Sequence, residues 1–107
     1  MTRKLAVAAV AAFAVTAVPA HAGATKTVSV KNNSFSPGSV SIKKGDKVVW
    51  KWTQGGVPHN VTPAKGGKGS ATSSKKGFTY AKTFASAGSF SYVCTLHSGM
   101  KVTVKVS

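Results

Sequence analysis

The sequence predicts an all-β protein, a sandwich or barrel of short antiparallel strands, from three observations. Apolar residues recur with a period of two rather than 3.6. Turn-forming residues separate these runs, and no segment shows a convincing helical pattern. Strands with one apolar and one polar face are typical of sandwiches and barrels. The chain of 107 residues is long enough for one such domain and too short for two.

The predicted strands follow one another along the chain, each with apolar residues at alternate positions. The residues expected to face inward are Val28 and Val30; Val40 and Ile42; Val48, Trp50 and Trp52; Phe78, Tyr80 and Phe84; Phe90, Tyr92 and Cys94; and Met100, Val102, Val104 and Val106. Turns are predicted at Pro37-Gly38, Lys44-Gly45-Asp46, Gly55-Gly56 and Ala87-Gly88. Residues 63–77, rich in glycine and lysine, predict a mobile, cationic surface loop.

Residues 1–22 have the features of a secretory signal peptide. Arg3 and Lys4 precede an apolar run over residues 5–18, and Ala20-His21-Ala22 forms a small-residue cleavage site. The run is shorter than the ~20 residues that a membrane span needs. We therefore expect export to the periplasm or the extracellular and cell-envelope space. Residues 23–107 are expected to form the mature domain, a monomer without a membrane span.

The charged residues exclude several classes of protein. Asp46 is the only acid beside 15 Lys and Arg, so a two-carboxylate glycosidase, an aspartic dyad and an EF-hand are all excluded. A single cysteine excludes an intrachain disulfide. A nucleic-acid role is disfavoured because the protein is expected to be exported and residues 23–107 contain no Arg for base readout. The positive charge is expected either to keep the protein soluble or to steer it toward an acidic redox partner.

Four residues form a candidate metal site. Cys94, His97 and Met100 have the spacing C-x2-H-x2-M, and His59 follows Gly55-Gly56-Val57-Pro58 on a second predicted loop. A thiolate, two imidazoles and a weak axial thioether are the ligand set of blue-copper electron-transfer proteins. The strand pattern also predicts that the sulfurs of Cys94 and Met100 point inward at one end of the sandwich. We therefore expect one type 1 copper ion there.

Other interpretations of these residues remain open. A copper carrier or buffer could use the same four ligands. A structural zinc site is chemically possible, although zinc rarely takes a Met thioether. Cys94 and His97 could form a nucleophile–base pair, which would leave His59 and Met100 without a role.

Two segments carry a resemblance to a known family. Gly56-Val57-Pro58-His59-Asn60-Val61 and the stretch from Tyr92 to Met100 resemble the copper loops of cupredoxins of the plastocyanin and amicyanin type. The stretch from Phe35 to Trp50 is similar to the first hairpin of that family. This resemblance implies a Greek-key β-sandwich with the metal site at one end.

The resemblance also implies a role for individual residues. His59, Cys94 and His97 would be equatorial ligands and Met100 the axial ligand. The Asn60 N–H would donate to the Cys94 sulfur, and the Asn60 side chain would join the two loops at Thr95. An apolar patch of Val57, Pro58 and Leu96 would surround the exposed edge of His97.

The function predicted from these residues is that of a soluble one-electron carrier between redox partners, not an enzyme. The four ligands leave no open coordination position for water or substrate, which a catalytic metal needs. The two histidines of residues 23–107 are also too few for the additional copper sites of a nitrite reductase or a multicopper oxidase.

Overall fold

The computed structural model describes residues 23–107. These residues form eight β-strands and no helix, and therefore no helix that could span a membrane. The strands are β1 Thr25–Lys31, β2 Ser34–Ser36, β3 Ser39–Ile42, β4 Lys47–Trp52, β5 Thr62–Pro63, β6 Thr79–Thr83, β7 Gly88–Val93 and β8 Lys101–Val106. The predicted all-β class is confirmed. The expected signal peptide, residues 1–22, lies outside the described residues.

The strands form two four-stranded sheets. One has the order β2-β1-β4-β6 and the other the order β3-β8-β7-β5. Two neighbouring pairs, β1 with β4 and β3 with β8, are parallel, and the remaining pairs are antiparallel. The predicted antiparallel arrangement therefore holds for four of the six pairings, and the two parallel pairings differ from it. The chain crosses to the opposite sheet between the members of each parallel pair, and such a crossover is what a parallel pairing requires.

The core lies between the two sheets and contains the residues that the period of two placed inward. Fourteen of the seventeen are buried, and Phe78, Tyr80 and Phe90 pack against them while partly buried. Trp50 is fully buried, with its ring centroid 5.0 Å from that of Tyr92, and Trp52 packs edge-on against Phe78 at 4.8 Å. Truncating a buried Trp typically costs about 3–5 kcal/mol, so these rings are a large part of the stability.

Asp46 joins three parts of the chain at one end of the sandwich. Its carboxylate accepts the N–H groups of Ala24 at 2.8 Å and Lys43 at 3.0 Å. Its backbone carbonyl accepts the N–H of Phe84 at 2.9 Å. The pKa of Asp46 is lowered from its ordinary value of 3.8, mainly by the hydrogen bonds from the Lys43 and Ala24 N–H groups. The positive charges of Lys43 and Lys26 lower it further.

This geometry predicts that Asp46 contributes to the loss of stability in acid. A carboxyl whose folded pKa is lowered stabilises the fold fully above its unfolded pKa, and that contribution is lost as the pH falls through the folded pKa. Because Asp46 is the only acidic side chain in the sequence, Asp46→Asn should make the thermal midpoint of the metal-free domain fall less steeply between pH 5 and about pH 2. The decline that remains is expected from His59, whose lowered folded pKa makes its protonation oppose folding. The midpoint of the wild-type domain should decline more steeply over the same range. Thermal melts at each pH measure this, and parallel declines in the two proteins would contradict the role of Asp46.

The segment predicted as a mobile loop is held by hydrogen bonds in its second half. Residues 62–63 form β5 against β7, and residues 64–68 turn back. Residues 69–77, which we call the strap, then run beside residues 52–61. The bonds between them are Ser70 N–H to Val61 O, Ser73 N–H to His59 O, His59 N–H to Ser73 O, Gly56 N–H to Ser74 O and Gly77 N–H to Trp52 O. The lysines of this region are exposed, as predicted.

Candidate metal centre

Two loops at one end of the sandwich carry the four predicted ligands. Cys94 comes directly after β7, and Met100 comes directly before β8, its antiparallel neighbour. The Cys94 N–H donates to the Met100 carbonyl at 3.1 Å, and the Met100 N–H donates to the His97 carbonyl at 3.2 Å. These two bonds close a tight turn around His97. His59 lies on the loop between β4 and β5.

The structure brings three of the predicted ligands together. The donor atoms of His59, Cys94 and His97 all lie within 4.8 Å of one another. The Cys94 sulfur is 3.5 Å from His97 Nδ1, and the two imidazole centroids are 4.8 Å apart. Cys94 and His59 are buried, and His97 is half-buried. Met100 is buried on the same turn.

The chemistry of this cluster fits a soft transition metal. Burial, and to a smaller extent the neighbouring His97, lowers the pKa of His59, which favours the neutral ring that a metal needs. His59 is only 1% exposed, and its Nδ1 atom has no hydrogen-bond partner. A buried polar atom normally has such a partner, so an unpaired nitrogen beside a thiol suits a metal ligand. Thiolate, imidazole and thioether together favour copper.

The strap fixes the position of His59. Ser73 exchanges two backbone hydrogen bonds with His59, both of 3.0 Å, and its carbonyl also accepts the Trp52 indole N–H at 2.8 Å. The fully buried Trp52 ring thus anchors the strand-like segment that holds the histidine. The sequence-based prediction missed this role. The only signal in the sequence was a run of small residues from Ser70 to Ser74, four of them with hydroxyl groups, within a segment otherwise rich in glycine and lysine.

Asn60 links the two metal loops through its side chain. Its Nδ2 group donates to Thr95 Oγ1 at 2.8 Å and to Thr72 Oγ1 at 3.1 Å. Its Oδ1 atom accepts the Thr95 N–H at 3.1 Å and the Thr62 hydroxyl at 2.9 Å. The expected contact with Thr95 is therefore present, and it consists of two hydrogen bonds. Among the hydrogen bonds of residues 23–107, none joins the Asn60 N–H to the Cys94 sulfur, which instead lies near His97 Nδ1.

The surface above the cluster is apolar. Val57 is 37% exposed and Leu96 is 51% exposed, and these are the large apolar side chains most open to solvent within residues 23–107. Pro58 is also exposed, and the half-buried His97 follows Leu96 directly. The residues predicted to surround His97 therefore lie at the surface on the two loops that carry the cluster.

Comparison with known proteins agrees with the fold and with this donor set. The family described as copper binding proteins of the plastocyanin/azurin family matches residues 22–107. Amicyanin-alpha of Methylorubrum extorquens is 37% identical over 107 residues, covering 94% of this chain and 87% of that protein. Plastocyanin of Rumex obtusifolius is 31% identical over 86 residues, covering 69% of this chain and 86% of that protein.

A solved structure shows the same architecture. The crystal structure of amicyanin from Paracoccus versutus superposes with a TM-score of 0.68 and 32% identity, covering 78% of this chain and 81% of that one. The two-sheet fold and the His, Cys, His and Met donors define a cupredoxin with a copper cofactor. The chain belongs to the plastocyanin/azurin family of copper-binding proteins.

Proposed function

We propose that the protein is an exported blue copper protein that carries single electrons between redox partners. The observation that carries this proposal is the compact cluster of His59, Cys94 and His97, whose donor atoms lie within 4.8 Å of one another. His59 and Cys94 are buried, while His97 reaches a surface formed by exposed apolar residues. A buried redox centre with one ligand near the surface can exchange electrons without admitting water or substrate.

In this proposal, His59, Cys94 and His97 are the equatorial ligands and Met100 is the axial ligand. Copper supplies the one-electron Cu(I)/Cu(II) couple when bound. The strap and Asn60 hold both loops in place, because Ser73 fixes the backbone of His59 and the Asn60 amide fixes Thr95. Such supporting contacts orient ligands and tune a metal site. A site held in one geometry reorganises little when its charge changes, which favours rapid electron transfer.

The donor inventory supports a carrier rather than an enzyme. In this proposal the two histidines, one cysteine and one methionine of residues 23–107 all serve this one site. A catalytic metal needs an open position for water or substrate, and four protein ligands leave none. Export is proposed from residues 1–22 of the sequence alone.

Copper binding to residues 23–107 tests the proposal directly. One equivalent of Cu(II) should give an intense visible band and an EPR spectrum with narrow copper hyperfine splitting. The reduced and oxidised forms should then interconvert reversibly in a voltammetric measurement. A colourless or ordinary tetragonal Cu(II) complex would contradict the proposal. Rapid loss of copper to a mild chelator would instead favour a copper carrier or buffer.

Met100 provides a second test, through the reduction potential. Met100→Gln replaces a soft thioether with a harder oxygen donor, which should stabilise Cu(II) and lower the potential. Met100→Leu keeps an apolar side chain but removes the donor, and it should raise the potential. We expect each shift to reach about 59 mV, a tenfold change in a one-electron equilibrium. Voltammetry measures both, and an unchanged potential would show that Met100 is not axial.

A further inference from the structure

Two lysines of the strap lie beside the loop that leads to His59. The Ser74 carbonyl accepts the Gly56 N–H at 2.9 Å, immediately before Lys75 and Lys76 in the chain. A Cβ atom placed on Gly55 would lie only 3.2 Å from the Lys76 backbone nitrogen, so the two segments are in direct contact. Both lysines are exposed and lie at the end of the sandwich that carries the metal cluster.

The backbone beneath these lysines is fixed. The Lys75 N–H donates to Ser73 Oγ at 3.1 Å, and the Lys75 carbonyl accepts the Phe78 N–H at 3.1 Å. The N–H of Gly77, the next residue after Lys76, donates to the Trp52 carbonyl at 2.8 Å. The ammonium groups can move on their side chains, but their attachment points are held next to the Gly55-Gly56 turn.

No carboxylate in residues 23–107 lies near this pair of charges. Asp46, the only acid of the chain, precedes β4, whereas the strap contacts the residues that end and follow β4. The six residues of β4 separate the two ends by roughly 20 Å. That distance exceeds the Debye length of about 8 Å at physiological ionic strength. Lys75 and Lys76 therefore present uncompensated positive charge beside the Gly55-Gly56 turn, which leads directly to the exposed Val57.

We propose that the exposed apolar residues Val57, Pro58 and Leu96 form a docking face, and that Lys75 and Lys76 form its cationic rim. The partner that fits this face is a redox protein that presents carboxylates around an apolar contact surface. The identification of the partner as a redox protein rests on the proposed function. An apolar centre with a polar rim is the usual anatomy of a protein interface. Complementary charge at the rim mainly raises the association rate, which suits a short-lived encounter. Redox encounters of this kind typically bury less than about 1,200 Å².

The chain offers a matched control pair for this test. Lys43 and Lys44 are also adjacent and exposed, and they lie on the turn beside Asp46 at the opposite end of the sandwich. The double variants Lys75→Gln/Lys76→Gln and Lys43→Gln/Lys44→Gln remove the same charge. They remove it from opposite ends of the molecule, and Lys43 and Lys44 also lie beside the Asp46 carboxylate.

The rates of electron transfer to two small oxidants of opposite charge measure the electrostatic potential at the protein surface near the metal centre. The reduced, copper-loaded protein gives one electron to ferricyanide, forming ferrocyanide, or to tris(phenanthroline)cobalt(III), forming the cobalt(II) complex. At low salt, Lys75→Gln/Lys76→Gln should slow the ferricyanide reaction about 3- to 10-fold and speed the cobalt reaction. Lys43→Gln/Lys44→Gln should change either rate less than about twofold, and the differences should fade near 1 M salt. Equal effects of the two pairs would overturn the proposal, because total charge alone would explain them.

A binding measurement separates the docking face from electron transfer itself. The diamagnetic Cu(I) protein can be titrated with a hexaglutamate peptide while amide shifts are recorded by NMR. We expect amide shift changes at residues 55–58, 74–77 and 96–97 and much smaller changes at residues 43–47. In Lys75→Gln/Lys76→Gln, the changes at the first three segments should be clearly smaller than in the wild type. Shifts of equal size at both ends would overturn the proposal. If neither oxidant is reduced, the electron-carrier proposal fails, and the NMR result alone then decides whether the docking face exists.

Discussion

Cys94→Ser is expected to abolish the intense blue colour of the copper-loaded protein. Cys94 is buried, and its sulfur lies 3.5 Å from His97 Nδ1, within the cluster that also contains His59. A serine hydroxyl is not a soft thiolate, so the charge-transfer band from sulfur to copper should disappear. We expect the visible absorbance per bound copper to fall at least about tenfold, with a weaker copper complex remaining.

The control for this prediction is Ser98→Ala on the same turn. Ser98 is exposed and follows His97 directly, so its loss should leave the colour unchanged. Absorbance and EPR spectra at matched copper content compare the two variants. Near-ultraviolet circular dichroism of Trp50 and Trp52 checks that both variants fold. An intense blue band in folded Cys94→Ser would show that Cys94 is not the sulfur ligand.

Asn60→Ala is expected to cause the largest loss of stability of any change outside the ligands and the apolar core. Asn60 is only 6% exposed, and its amide makes four hydrogen bonds, two of them to Thr95 on the other metal loop. Removing it leaves partly buried partners unsatisfied, and each such group costs about 1–3 kcal/mol. Allowing for water at the more open partners, we expect a loss of about 2–4 kcal/mol.

A matched variant isolates the link between the loops. Thr72→Val removes one partner of Asn60, at 3.1 Å, and leaves both bonds to Thr95 in place. It should cost about 1 kcal/mol. For a domain of this size, Asn60→Ala should lower the thermal midpoint by about 10–20 °C and Thr72→Val by about 4–8 °C. Equal thermal midpoints for the two variants would contradict the prediction, because the bonds to Thr95 would then contribute nothing to stability.

The sequence predicted those parts of the fold that depend on local pattern. The period of two placed Val28, Trp50 and Val102 in the core because successive strand residues point to opposite faces. The same reasoning put Cys94 and Met100 at the facing ends of two inward runs, and the structure places them on one closed turn. The identity of the four metal ligands remains a prediction, which the copper spectra will decide.

Other parts of the fold depend on which distant segments of the chain lie next to one another, and the local sequence pattern does not contain that information. The parallel pairing of β1 with β4 follows from the crossing of the chain between sheets, not from the residues of either strand. The glycine- and lysine-rich composition of residues 63–77, which include the strap, predicted a mobile loop. The order of the strap comes from backbone bonds to His59 and Trp52, which almost any residue except proline could make. The Thr72 contact with Asn60 is a bond between two side chains on segments whose meeting the local pattern does not show.

The lysine rim also determines how two copies of the protein meet. Electron self-exchange requires two molecules to approach through the same face, each presenting Lys75 and Lys76 near Val57. Like charges then oppose one another across that contact, so the approach is slow at low ionic strength. Self-exchange leaves the ratio of oxidised to reduced protein unchanged, so slowing it costs the carrier nothing. The same charge speeds the approach of partners of opposite sign, and it therefore favours transfer to them over exchange between copies.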